Sequence, residues 1–134
     1  LAQAMVSYQD PQSGTWYQVT DQGARKGNYL ESSATALFIY TLAKAINQGY
    51  IGNEYITPVQ KAFNGMIREF TRLEEDGSYT ITNCCAVAGL GGDSKRYRDG
   101  SFEYYISEPV IENDPKSVGS FILAAIEYEK MTDK

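Results

Sequence analysis

The sequence predicts a mainly α protein built of helical hairpins, with long loops and one or two short β segments between them. Three observations carry this. Apolar residues recur at three- and four-residue spacing over two long windows joined by a short link. A third such window opens on Asp114-Pro115-Lys116, a helix start. The intervening stretches are rich in glycine and tyrosine and carry no helical period. Three or four helices separated by such loops do not make a tidy bundle; they fit part of a larger helical ring.

Residues 1–9 read as the tail of a helix, ended by the turn cluster Asp10-Pro11-Gln12-Ser13-Gly14. The opening "LAQAMVSYQD", with no initiating Met, reads as the inside of an element, and the chain as a piece of something longer. "TWYQVT", 15–20, suits a short extended segment, and "DQGARKGN", 21–28, a polar loop. From Glu31 to about Gln48 the residues Ala34, Leu37, Phe38, Thr41, Leu42, Ala45 and Ile46 form one stripe, and Gly49 is a C-terminal stop. A second helix begins between Glu54 and Thr57 and runs to Thr71, with Ile56, Val59, Phe63, Met66, Ile67 and Phe70 along its stripe. "TPVQ", 57–60, resembles a capping box, while Asn53 offers an earlier cap. The short link makes these two helices antiparallel neighbours. "EEDGSYTIT", 74–82, reads as a turn and a short strand, "AGLGGDSKRYRDG", 88–100, as a glycine loop, and "FEYYIS", 102–107, as extended. The last helix, capped by Asp114, would bury Val118, Phe121, Ile122, Ala125 and Ile126.

Composition removes several function classes. The chain has 134 residues and a formal net charge of -5, against the basic face that phosphate-backbone binding needs, so no nucleic-acid partner is expected. No apolar run approaches the roughly 20 residues of a membrane span, so no membrane partner is expected. There is no histidine, which excludes a Ser-His-Asp triad, a Cys-His pair or a histidine-ligated metal built from these residues alone. The adjacent Cys84 and Cys85 are expected as free, partly buried thiols, since a disulfide between neighbours is strained. "GLGG", 89–92, lacks the Lys-Ser/Thr of a phosphate loop.

Aromatic residues are the unusual feature: 11 Tyr, 5 Phe and 1 Trp. They crowd the stretch "DGSFEYYISEPVIENDPKSVGSF", 99–121, beside carboxylates, a serine and a lysine, as in the rim of a sugar site. The candidate binding residues there are Tyr104, Tyr105, Ser107, Glu108 and Lys116, with Trp16 and Tyr29 behind them. For Trp16 a core role is as well supported as a binding role. Glu31 and Asp114 have ready structural roles at helix starts, whereas Glu108 has none visible. Lys116, a cation in a first helical turn, opposes the helix dipole and hints at an anionic group nearby.

"SGTWYQVTDQG", "GNYLESSATALFIYTLAKAINQGYI", "CAVAGLGG" and "YRDGSFEYYISEPVIENDPKSVGSFILA" together resemble the C-terminal third of glycoside hydrolase family 105, the unsaturated rhamnogalacturonyl hydrolases, which are similar to the unsaturated glucuronyl hydrolases. The resemblance covers roughly residues 8–130 in order. It implies a partial (α/α)6 barrel, with residues 1–134 as the C-terminal portion of the hydrolase domain. It implies removal of a 4,5-unsaturated uronic acid from the non-reducing end of pectin-derived oligosaccharides, with no metal or organic cofactor. The family's catalytic aspartate belongs to the first two-thirds of the full protein, so the resemblance assigns no catalytic residue here and promotes none of Asp21, Asp99 or Asp114. The compartment stays open between a bacterial cytoplasm and periplasm.

The alternative reading is a non-catalytic carbohydrate-binding or helical interaction module. A ring cut to a third should also leave an apolar face, on the 56–70 stripe or the 34–46 stripe, that associates with itself or with the remainder of the barrel.

Overall fold

The computed structural model describes residues 1–23, 25–92 and 97–133. Five helices and two small antiparallel strand pairs follow in the order α1 (Ala2–Ser7), α2 (Ser32–Asn47), α3 (Ile56–Phe70), β1 (Thr71–Leu73), β2 (Tyr79–Ile81), β3 (Cys84–Cys85), α4 (Phe102–Ser107), β4 (Val110–Ile111) and α5 (Pro115–Thr132). The mainly α class is as expected, and among the described residues no helix is long and apolar enough to cross a membrane.

The central unit is α2 with α5. Ser32 Oγ meets Ser117 Oγ at 3.0 Å near the two N-termini. Near the far ends Asn47 Nδ2 donates to the Glu127 carbonyl at 2.9 Å. The two helices therefore run side by side in the same direction. Their buried residues are mostly small: Ser32, Thr35, Ala36 and Ala43 on α2, and Ser117, Ser120 and Ala124 on α5. Small side chains let the axes approach closely, and this sets the helical phase. The expected stripes are accordingly corrected. On α2, Leu37 is exposed and the buried face is turned towards Ser32, Thr35, Ala36 and Ile39. On α5 only Phe121 of the expected core is buried, while Ile122, Leu123 and Ile126 stand on the surface at 56%, 44% and 43% exposure.

Helix α3 returns along α2, as the short link requires. Its stripe is close to that expected: Val59, Met66 and Phe70 are fully buried, with only Ile67 facing out. Phe63 stacks on Tyr128 of α5, ring centroids 3.9 Å apart and nearly parallel. The start of α3 differs from the capping-box reading: Tyr55 precedes the helix without a side-chain cap, after a short 3-10 turn over Asn53–Tyr55.

The 10–16 loop lies directly on α3. Gln9 Nε2 donates to the Pro58 carbonyl, Lys61 Nζ to that of Pro11 and Arg68 Nη2 to that of Ser13. Gly65 makes this approach possible, because a Cβ there would fall on the Ser13 carbonyl oxygen. The loop carries Trp16 into the core, where it is fully buried against the edge of Phe38 and donates Nε1 to the Met5 carbonyl at 2.7 Å. The stretch 15–20 holds one antiparallel bridge, Tyr17 to Leu30, before a 3-10 turn at Thr20–Gln22.

Strands β1 and β2 pair as a hairpin, with Arg72 opposite Thr80. Strands β3 and β4 pair with Cys84 opposite Ile111 and Cys85 opposite Val110. The glycine loop is pinned at its ends by the mutual Gly91–Arg98 backbone bonds at 2.9 Å; its middle, 93–96, lies outside the described residues. Residues 102–107 are helical rather than extended: Ser101 caps α4 by accepting from Tyr104 N at 3.1 Å. Tertiary surroundings override the β preference of the Tyr-Tyr-Ile run.

Replacing Gly65 by Ala should force the 10–16 loop off α3 and lower the unfolding free energy by about 1–3 kcal/mol, the usual cost of overpacking. Urea denaturation of the variant beside the parent measures it.

Candidate functional site

The polar end of the α2/α5 pair is organised by Glu31, which is 1% exposed. Its Oε2 accepts from Ala34 N at 2.6 Å, capping α2. Its Oε1 accepts from Ser33 Oγ at 2.9 Å and from Cys85 N at 3.0 Å. The helix start is thus fastened to β3, and through the β3–β4 pair to the chain entering α5. Asp114 caps α5 by accepting from Lys116 N at 2.8 Å, with Pro115 in the first turn.

Around β3 the structure gathers several residues singled out above. Tyr29 lies on one side, its hydroxyl buried against the Cys85 thiol. Burial first, and then the thiol, push its pKa well above the ordinary tyrosine value, so it is a neutral donor. Gln18 Nε2 approaches the Cys85 sulfur at 3.2 Å from the same side. Lys116 lies on the other, its Nζ donating to Asp114 Oδ1 at 2.7 Å and to the Ala86 carbonyl at 3.2 Å. The anionic group expected beside Lys116 is therefore Asp114 itself, which raises the lysine and is held below the usual carboxylate range. Both cysteines are free and buried, and burial pushes the Cys84 thiol up, away from thiolate chemistry.

Helix α4 carries the tyrosine pair. Tyr104 and Tyr105 tilt against each other at 5.0 Å between centroids. The Tyr104 hydroxyl is turned inward beside Glu108; burial and then this carboxylate push its pKa up. Glu108 itself is only 3% exposed, so its part in the site is to hold α4 from within. Ser107 is at the surface, its hydroxyl donating back to the Tyr104 carbonyl at 2.7 Å. Trp16 takes the core role of its two readings, since no face of its ring reaches solvent. The described residues of this end offer rings, hydroxyls and a cation. Asp99 and Asp114 both sit below the usual carboxylate range, held by Ser101 and by Lys116 respectively, and so stay ionised near neutrality.

The model of Glycosyl Hydrolase Family 88 matches residues 1–132. The chain belongs to this family. Among solved structures it is similar to a family 105 glycoside hydrolase of Clostridium acetobutylicum ATCC 824, with TM-score 0.91 and 45% identity over 96% of this chain and 35% of that one. A Klebsiella pneumoniae protein described as a possible member of family 105 superposes with TM-score 0.75 at 26% identity, covering 98% of this chain and 29% of its own. Among curated proteins, Protein Atu3128 of Agrobacterium fabrum and a 24.9 kDa protein in the picA locus of Rhizobium radiobacter are each 38% identical over 120 residues. The chain spans about half (52%) of the length of these relatives. The resemblance to family 105 and the α/α-barrel architecture are thereby borne out: α2, α3 and α5 form part of such a barrel.

Sequence reading alone missed that Tyr29 and Lys116 both reach the strand of Cys84 and Cys85. The two cysteines are small buried fillers there, and the signal in the sequence was their position just before the glycine loop.

Glu31→Ala should remove the cap and leave the Cys85 amide without its acceptor. A loss of about 2–4 kcal/mol in urea-derived stability is expected. Asp114 titrates below its unfolded value, so its contribution is full above the ordinary aspartate pKa and fades as pH falls through the depressed folded value. Asp114→Asn should therefore flatten the acid limb of the stability profile below about pH 4, read from thermal melts across pH.

Proposed function

We propose that residues 1–134 are the C-terminal portion of an (α/α)6-barrel glycoside hydrolase that removes a 4,5-unsaturated uronic acid from the non-reducing end of rhamnogalacturonan-derived oligosaccharides. The observation that carries this reading is the 45% identity, at TM-score 0.91 over 96% of the chain, to the Clostridium family 105 hydrolase.

In the proposed reaction a neutral aspartic acid gives its proton to C4 of the C4=C5 vinyl ether. Positive charge develops at C5 and the ring oxygen. Water adds at C5 and returns a proton to the carboxylate. The hemiketal then opens by breaking the bond between C5 and the ring oxygen, and the exposed C1 hemiacetal releases the remaining sugar. The proton donor lies outside these residues, which agrees with the ionised state of Asp99 and Asp114. This portion supplies binding. The Tyr104–Tyr105 pair offers aromatic faces, Ser107 a surface hydroxyl and Lys116 a cation for the uronate carboxylate, with Tyr29, Glu108 and Trp16 behind them as buried supports.

The exposed ridge Ile122, Leu123 and Ile126 is the surface this reading assigns to the remainder of the barrel, or to a second copy when the chain is alone. The expected stripe on α3 is instead covered within the chain except at Ile67.

Two outcomes test the reading. The protein as its gene encodes it should erase the ultraviolet band of an unsaturated uronyl disaccharide, whereas residues 1–134 alone should bind without erasing it; persistence of the band with the gene-encoded protein would sink the assignment. Residues 1–134 alone should also sediment as more than a monomer at high concentration, and Ile126→Glu should return them to monomers.

A further inference from the structure

The loop 21–28 and helix α4 are joined by an arginine with three different partners. Arg25 Nη2 pairs with the Glu103 carboxylate. Its Nη1 donates to Gln22 Oε1 at 2.9 Å, and its guanidinium lies over the Phe102 ring, 3.8 Å from Cζ to the centroid. Phe102 is 7% exposed, so the cation closes over a ring already set into the protein. On the next turn of the loop Gly27, at φ +93°, lies so close to α4 that a Cβ would sit 2.9 Å from Ile106 Cδ1.

Helix α4 has six residues, too few to hold its own shape in water, so its position is set by what it touches. Asn28 ties the end of the loop back to its start. The Asn28 amide donates to the Val19 and Gln22 carbonyls at 2.9 and 2.8 Å and accepts from Val19 N at 3.2 Å. An exposed ion pair alone contributes about 0–1 kcal/mol. A planar guanidinium that pairs, hydrogen-bonds and stacks at once also fixes an orientation.

We propose that Arg25 is a positioning residue: it clamps α4 to the 21–28 loop and so fixes where Tyr104 and Tyr105 stand for a bound sugar. This rests on the reading of α4 as part of the saccharide rim. The position of the tyrosine rings is then carried by the loop that ends in Tyr29, so both sides of the rim move as one unit.

The test uses the gene-encoded protein with Arg25→Ala, Arg25→Lys and Gly27→Ala, each with an unsaturated uronyl oligosaccharide and each followed by amide hydrogen exchange of residues 102–107. Arg25→Ala should speed exchange in 102–107 and raise KM about fivefold with kcat within about twofold, the fold-change of roughly 1 kcal/mol. Arg25→Lys should recover part of both effects, because it keeps the charge and loses the fork and the stack. Gly27→Ala should move both in the direction of Arg25→Ala. Unchanged exchange would overturn the clamp. Faster exchange with unchanged KM would overturn the positioning role and leave a fastener of the fold. If the parent protein hydrolyses no unsaturated uronide, the functional reading fails, and the exchange of 102–107 alone decides whether the clamp exists.

Discussion

The carboxylate of Glu31 is the constraint from which the rest of the site end follows. It is buried, and it accepts from the α2 backbone, from a neighbouring serine and from the β3 backbone at once. A helix start leaves donors that need partners, and a strand of two residues cannot anchor itself. One side chain answers both needs. With β3 fixed, its pairing with β4 places the chain that leads into α5, and the Lys116 amine reaches back to the Ala86 carbonyl. The N-termini of the two parallel helices are thereby held in register, with the serine pair Ser32–Ser117 between them.

The second constraint is the close approach of α2 and α5. A pair of parallel helices must limit bulk in the seam, so serine and alanine go inside, and on α5 Ile122, Leu123 and Ile126 go out while Ile39 and Leu42 of α2 and Phe121 of α5 stay buried. On α5 this departs from the ordinary rule that the largest apolar residues mark the core. It is the arrangement of a helix with neighbours on more than one side, where each face has its own demand. An isolated hairpin would gain by rotating α5 to bury Ile122 and Ile126. The exposed ridge that α5 leaves suits a partial α/α barrel, the architecture of its family.

These two constraints explain which features could be read from the residues. Asp114-Pro115 gave the start of α5, and Gly49 the end of α2, because caps and stops are local chemistry. The existence of α2, α3 and α5 followed from their periods. The rotation of α3 followed as well, but that of α2 and α5 did not, because apolar periodicity counts large side chains and their seam is made largely of small ones. Helix α4 was hidden: six residues give too few turns for a period, and its aromatic run has strand preference. Its one legible sign is Ser101, which accepts from Tyr104 N. Among the candidate binding residues, Tyr104 and Tyr105 were visible as crowded polar aromatics and Lys116 as a cation in a first helical turn. The meeting of Tyr29 and Lys116 at the Cys84–Cys85 strand depends on contacts 30 or more residues apart, which no local pattern encodes.

The protonation states at this end also fit together. Tyr29 and Tyr104 sit buried beside a thiol and a carboxylate, and both are pushed towards the neutral phenol. Lys116 and Asp114 are pushed the other way, towards charge, by each other. The result is a set of fixed protonation states: buried phenols that keep their protons and an exposed ammonium that keeps its charge. None of these groups exchanges a proton readily near neutrality. Such a set of groups has nothing to offer a bond that needs a proton at carbon. In the reading proposed above, these residues therefore serve binding, and the proton would come from a neutral acid elsewhere around the cleft.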